Sequence, residues 1–395
     1  MQPSTRTPSL ALALVVALGY ACGPKDSSET KAPGAAAQPE TSTAELKPEP
    51  RAEPEPPPQL VDAWYTDTDE DGVPDFVELE LHGDPNMDEC IVQACGEPAR
   101  TGRLVSAINT LIILDVSGSM AGKVAGKGAS KLELAKKAVA RYVETMPAVD
   151  LMKVGLMVYG HKGDRTAATK EQSCQAFETL QALGPVDAEA ITAAMKPLKP
   201  TGWSPIAGAL EASARVVPEE VGVMNHIILV ADGLEACGGD PVAIARRLRD
   251  TNHLTVVDVV GLGVGAKEDQ ALLREIATAT GGTYQEAATV AEFDQAFNTL
   301  NYNLWKTFDA WLCAVGSEPL IACYQQRVDA AIRRTEQEIQ AMAKRETGGG
   351  KVSADLQAIK ARTERMRDGR LRVVTTYKVR LEEIKKSAEK TRPKK

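Results

Sequence analysis

The chain has 395 residues, 43% of them hydrophobic, and a formal net charge of −8. That length holds two or three domains, and the apolar share supports a sizeable core. Beyond the first 24 residues no stretch is long and apolar enough for a membrane-spanning helix.

Arg6, the apolar run Leu10 to Leu18 and the ending Gly19-Tyr20-Ala21-Cys22 read as an export signal over residues 1–22. The run is too short to span a bilayer as a mature helix. Its small-x-small-Cys ending resembles a bacterial lipoprotein signal, which implies lipidation of Cys22 and a membrane anchor. Gly19 departs from the Leu usual there, and ordinary cleavage after Ala21 is the alternative. Both readings export the protein to a bacterial cell envelope, in the periplasm or at the cell surface. Residues 23–60 are rich in Pro, Ala and Glu and nearly lack large apolar side chains. Such a segment cannot repay its ordering entropy and is expected to be a disordered tether.

The segment 61–104 contains DTDEDGVPDFVE, Asp67 to Glu78. Counted from Asp67, oxygen donors fall at loop positions one, three, five, seven, nine and twelve: Asp67, Asp69, Asp71, the Val73 carbonyl, Asp75 and Glu78. Gly72 allows the turn at six. Ca²⁺ takes six to eight hard oxygens, and this spacing supplies them. The loop resembles the single Asp-rich calcium loops of thrombospondin type 3 and dockerin repeats and the EF-hand loop. An acidic solvated linker is the plainer reading.

Export makes the cysteines informative. With Cys22 lipidated, six remain, an even number for an oxidising compartment. They fall into regional couples, Cys90 with Cys95, Cys313 with Cys323, and Cys174 with Cys237; six cysteines allow about fifteen connectivities, so the couples are an expectation. The four His sit at no zinc-ligand spacing relative to them.

Residues 105–301 alternate apolar strands with amphipathic helices. TLIILDV, KVGLMVYG, HIILVAD and LTVVDVVGLGV read as buried strands. Leu132, Leu134, Ala135, Ala138, Val139, Tyr142, Val143 and Met146 recur at helical spacing. Asp240-Pro241 opens another helix as N-cap and first turn. The pattern predicts an α/β fold with a doubly wound, mostly parallel sheet, in which ligands bind beyond the carboxyl ends of the strands.

Three strand-end segments present oxygen: Asp115, Ser117 and Ser119; Ser204 before a Pro-led helix; and Asp232. Together they resemble the metal-ion-dependent adhesion site of a von Willebrand factor type A domain. Asp115, Ser117 and Ser119 match its D-x-S-x-S signature, Ser204 stands where the family has Thr, and Asp232 matches the third-loop Asp. The resemblance covers about half the chain. It implies Mg²⁺ or Mn²⁺ bound directly by Ser117 and Ser119, with Asp115 and Asp232 acting through water. Ser204 would join when a partner carboxylate completes the shell. Trp203 is either a partner anchor or packing under its loop, and Glu235 either shapes ligand choice or is a surface charge.

No enzyme signature survives inspection. GLGVGA at 261–266 lacks the third fingerprint Gly, AGKVAGKGAS is not in phosphate-loop register, and no G-x-S-x-G occurs. The chain is expected not to be an enzyme.

The region 302–395 is expected to be a basic helical arm. From Tyr324 onward the net charge is +10, against −18 for the remainder. Leu356, Ile359, Met366, Val373, Tyr377 and Ile384 fit a coiled-coil heptad that Thr363, Arg370 and Arg380 interrupt, and ETGGGK at 346–351 would be the hairpin turn. The arm packs on itself, or meets an acidic partner, an anionic envelope surface or the protein's own acidic part. Nucleic acid is not an expected partner for an exported protein. The function expected overall is metal-dependent adhesion or protein binding in the envelope. The alternative is a structural component in which the A-type domain is packing and the tail associates. The sequence leaves the oligomeric state open.

Overall fold

The computed structural model describes residues 66, 68, 73–81, 83–86, 90, 95 and 105–393 apart from 125–127, 221, 234, 253 and 346–348. The signal with Cys22, the tether, and Asp67, Asp69 and Asp71 lie outside the described residues.

A short helix α1 (Asp75–Glu80) precedes the sheet domain. Its order is β1 (Ala107–Asp115), α2 (Lys131–Glu144), β2 (Met152–Tyr159), α3 (Lys170–Cys174), β3 (Phe177–Pro185), α4 (Ala188–Met195) and α5 (Ile206–Ser213). β4 (Val223–Ala231), α6 (Pro241–Thr251), β5 (Thr255–Leu262), α7 (Lys267–Ala279) and β6 (Tyr284–Ala287) complete it. Spatial order is β3-β2-β1-β4-β5-β6. All neighbours are parallel except β3, which runs antiparallel on the edge. Every residue of β1, β4 and β5 is buried, as expected for strands covered on both faces. Ile108, Ile112 and Leu114 face one core with Leu132, Val139 and Val143 of α2. Leu111 and Ile113 face a second core with Leu210, Leu248 and Leu273 of α5, α6 and α7.

Local signals place the helices. Ser130 and Glu133 form a capping box on α2, and the Asp240 carboxylate accepts from the N–H groups of Val242 and Ala243 to open α6 before Pro241. The chain leaves β1 toward β2 on one side and reaches β4 on the other. The crevice between β1 and β4 is therefore the switch point where such sheets bind ligands.

The C-terminal part comprises α8 (Val290–Gly316), α9 (Glu318–Ala343), α10 (Gly349–Lys378) and α11 (Leu381–Glu389). α8 runs unbroken through residue 301 and buries Phe293, Phe308 and Trp311 against the sheet domain. The ion pairs Lys360–Glu336 and Arg367–Asp329 advance along α10 while retreating along α9, so the two helices form an antiparallel hairpin. The heptad interruptions have local answers. The Thr363 hydroxyl donates to the Ile359 carbonyl, the Arg370 guanidinium lies 4.2 Å from the Tyr324 ring centroid, and Arg380 stands outside the helix and pairs with Asp150. α11 then folds back on the sheet domain, where Ile384 and Ala388 enter the first core and Arg392 pairs with Asp309. The basic tail thus spends many of its charges on the protein's own acids.

One pairing expectation is corrected. Cys174 is bonded to Cys237, as expected, but Cys90 pairs with Cys323 and Cys95 with Cys313. Cys313 lies in α8 and Cys323 in α9, two helices separated by the bend at Ser317, and both meet the segment that precedes the sheet. Pairing follows tertiary proximity, with Cα separations of 5.7 and 5.8 Å, rather than closeness in sequence. Val73 and Val77 pack with Ala331 of α9, so this segment is held to the C-terminal helices by apolar contact as well.

Candidate metal centre at the carboxyl edge of the sheet

Five oxygen-bearing side chains meet beyond the carboxyl ends of β1 and β4. Asp115 closes β1 and is fully buried; its Oδ1 accepts from the Ser117 N–H at 2.7 Å and its Oδ2 from the Ser204 hydroxyl at 3.1 Å. The Ser117 and Ser119 hydroxyls lie 2.9 Å apart, and Ser119 Oγ donates to Asp232 Oδ1 at 2.7 Å. The three segments read from the sequence are therefore one cluster. Backbone contacts lock it: Gly118 N–H donates to the Gly202 carbonyl, and Gly202 N–H to the Gly160 carbonyl, both at 2.9 Å. Gly160 has φ +68, and a Cβ there would sit 2.5 Å from the Trp203 carbonyl oxygen, so the turn after β2 requires glycine.

The two carboxylates are unequally treated. Lys131, the first residue of α2, places Nζ 3.0 Å from Asp232 Oδ2 and 3.1 Å from the Gly263 carbonyl. Asp115 has no cation beside it among the described residues. Burial, with the nearby Asp232 charge, pushes its pKa up to about 7. Tyr159 ends β2 opposite Asp115 in register, and its hydroxyl is buried with no hydrogen-bond partner among the described residues. Burial and the Asp115 charge raise its pKa well above the ordinary value. Hard oxygens, two carboxylates and an orphaned buried hydroxyl make a set that could hold Mg²⁺ or Mn²⁺ through Ser117, Ser119, Asp115, Asp232 and Ser204.

Lys131 and Tyr159 were not singled out from sequence. Tyr159 could have been found by aligning the ends of β1 and β2. Trp203 is half-buried, with its indole N–H donating to the Thr166 carbonyl at 3.2 Å and Lys170 Nζ 4.6 Å from its ring centroid. Glu235 accepts from the N–H of Ala207 at 2.7 Å and of Cys237 at 2.6 Å, which ties the start of α5 to the disulfide loop.

In the Asp-rich loop, Val73 is buried, and the Asp75 carboxylate accepts from the Thr68 N–H at 2.7 Å and hydroxyl at 2.6 Å. Glu78 is fully buried, and its Oε1 accepts from Arg327 of α9 at 2.5 Å. Among the described residues no group of three or more His, Cys, Asp or Glu is placed to hold a metal ion. No described helix is long and apolar enough to cross a membrane.

Residues 110–235 match the family model for the von Willebrand factor type A domain. The chain is 36% identical over 191 residues to YwmD of Bacillus subtilis (strain 168), covering 48% of this chain and 83% of that protein. YwmC of the same organism is 31% identical over 200 residues, covering 50% and 85%. Among solved structures, BatB of Bacteroides thetaiotaomicron aligns with TM-score 0.40 and 21% identity over 51% of this chain and 99% of that one. The pilus adhesin SpaC of Lactobacillus rhamnosus GG aligns with TM-score 0.42 and 12% identity over 51% and 31%. The family-model match and the two Bacillus subtilis relatives show that the chain belongs to the von Willebrand factor type A domain family.

Proposed function

We propose that the protein is a metal-dependent protein-binding module of the bacterial cell envelope, of adhesion type, exported and lipid-anchored through Cys22. The observation that carries this reading is Asp115: a fully buried carboxylate, beside a second carboxylate, in a ring of hydroxyls and, among the described residues, without a cation of its own. A buried charge left in that state costs several kcal/mol unless a cation or a proton joins it. Ser117 and Ser119 would hold Mg²⁺ or Mn²⁺ directly, Asp115 and Asp232 would orient its waters, and Ser204 would engage in the partner-bound state. When bound, the ion supplies a Lewis-acidic position that a partner carboxylate can occupy. Asp115 and Ser204 hold each other in place, the Cys174–Cys237 bridge steadies the flanking loops, and Lys131 pairs with Asp232.

The competing idea, a packing domain whose tail associates, has less in its favour. α11, Arg380 and Arg392 are already engaged with the chain's own sheet domain and α8. Ca²⁺ at the Asp-rich loop remains part of the proposal as an ordering ion near the tether. The function is tested by capturing partners from envelope extract with and without chelator. Capture that needs Mg²⁺ and is lost with Asp232→Ala supports the reading; capture indifferent to chelator contradicts it.

A further inference from the structure

The loops around Ser117 and Ser119 carry a charge pattern that metal binding does not use. Arg165 lies in the loop after β2 and is exposed. Its aliphatic stem crosses the middle of the D-x-S-G-S turn: a Cβ added at Gly118 would sit 2.5 Å from Arg165 Cδ and 2.6 Å from the Thr201 carbonyl oxygen. Gly118 therefore leaves room for that stem, and the guanidinium is delivered to the rim of the candidate metal centre.

Three nearby acids, Asp164, Glu235 and Asp232, are occupied elsewhere. Asp164 Oδ1 accepts from the Thr166 N–H at 2.9 Å and from the Thr166 and Thr169 hydroxyls at 2.5 Å each, a loop of its own making. Glu235 is bound to two backbone N–H groups, and Asp232 to Lys131. Glu171 lies in the first turn of α3 and is exposed. Among the described residues Arg165 has no ion-pair partner, and Lys170 stacks on Trp203 without one. The rim therefore presents an anchored arginine fork that has no ion-pair partner among the described residues, next to the candidate metal centre.

We infer that the partner presents two carboxylates, one for the metal centre and a second for Arg165, so that the ligand is an acidic peptide segment rather than an isolated Asp or Glu. This rests on the metal-bridge reading above. A guanidinium can grip a carboxylate with two parallel hydrogen bonds, and a stem already packed on Gly118 loses less freedom on binding. The nearby aromatic, Trp203, is engaged within its own loop through its indole N–H on the Thr166 carbonyl.

The test uses the full exported chain and two fluorescent synthetic peptides, one with a single aspartate in a Gly-Ser background and one with two. In Mg²⁺ the wild type should bind the two-aspartate peptide roughly tenfold more tightly, the size of one good charge-assisted contact. Arg165→Ala should erase that preference while single-aspartate binding and calorimetric Mn²⁺ affinity persist, and Arg165→Lys should restore part of it. An unchanged preference in Arg165→Ala, or no binding of the two-aspartate peptide by the wild type, overturns the inference. Chelator separates the two levels. If it abolishes binding while Arg165→Ala changes nothing, the metal bridge stands and the role of Arg165 falls. If the preference and its dependence on Arg165 both persist in chelator, the metal bridge falls instead.

Discussion

Asp115 and Asp258 are both buried carboxylates on strands of the same sheet, and their surroundings differ in kind. Asp258, in the first half of β5, accepts from His226 Nε2 of β4 at 2.7 Å, from the Thr283 N–H at 2.6 Å and from the Thr283 hydroxyl at 2.7 Å. Burial pushes its pKa up, but the hydrogen bond and charge of His226 and the two Thr283 donors outweigh burial and hold it at about 2. Asp115 accepts one N–H and one hydroxyl, faces Asp232, and is pushed the other way. A carboxylate whose donors are complete is part of the framework. One left short of positive charge is where a cation fits. Two buried carboxylates of one sheet thus differ in whether their surroundings complete their hydrogen bonds and charge.

Exchanging each carboxylate for its amide should break the comparison open. Asp115→Asn keeps an acceptor for the Ser117 N–H and can donate to Ser204, so the fold should persist. Its Mn²⁺ affinity, measured by calorimetry, should fall at least 100-fold, the size of one lost charge in a hard-oxygen site. Asp258→Asn should do the reverse. It leaves His226 without its charge partner and should cost about 3 kcal/mol of unfolding free energy in denaturant, as expected for a broken buried pair, with Mn²⁺ affinity unchanged.

The pH dependence sharpens the same contrast. The Asp258 pKa is depressed on folding, so its stabilisation is complete above the unfolded value of 3.8 and is lost as pH falls toward about 2. Denaturant titrations of the wild type across that window should show a loss of about 2 kcal/mol that Asp258→Asn no longer shows. A smaller effect is expected at Lys131. Lys131→Met removes the cation now on Asp232, so Mn²⁺ should bind about threefold to tenfold more tightly by calorimetry, within the range for one partly buried charge. Weaker binding would mean that Lys131 helps the ion rather than competing with it.

How far the sequence could lead follows from how local each feature is. Asp115, Ser117 and Ser119 are contiguous, and the apolar run before them marks the end of a buried strand, so both fold and first loop were readable. Ser204 and Asp232 were readable because they follow their own signals, a Pro-led helix start and a strand end. Lys131 was hidden because at helical spacing it is one polar residue among several on α2; only the N-terminal placement of that helix brings Nζ to Asp232. Arg165 was hidden for a similar reason, since its meeting with Gly118 depends on loop closure. The Asp258–His226 pair joins residues 32 apart on different strands and has no motif. The crossed bridges Cys90–Cys323 and Cys95–Cys313 depend on how α8 and α9 lie beside a segment more than 200 residues earlier, which spacing within each couple could not reveal.

The most direct test of the central claim is thermal unfolding of wild type and Asp115→Asn, each with chelator and with millimolar Mn²⁺. An uncompensated buried carboxylate predicts that the amide variant matches or exceeds the wild type in chelator. It also predicts that Mn²⁺ raises the midpoint of the wild type alone. A variant that is clearly less stable in chelator, or that gains as much from Mn²⁺ as the wild type, would contradict the account.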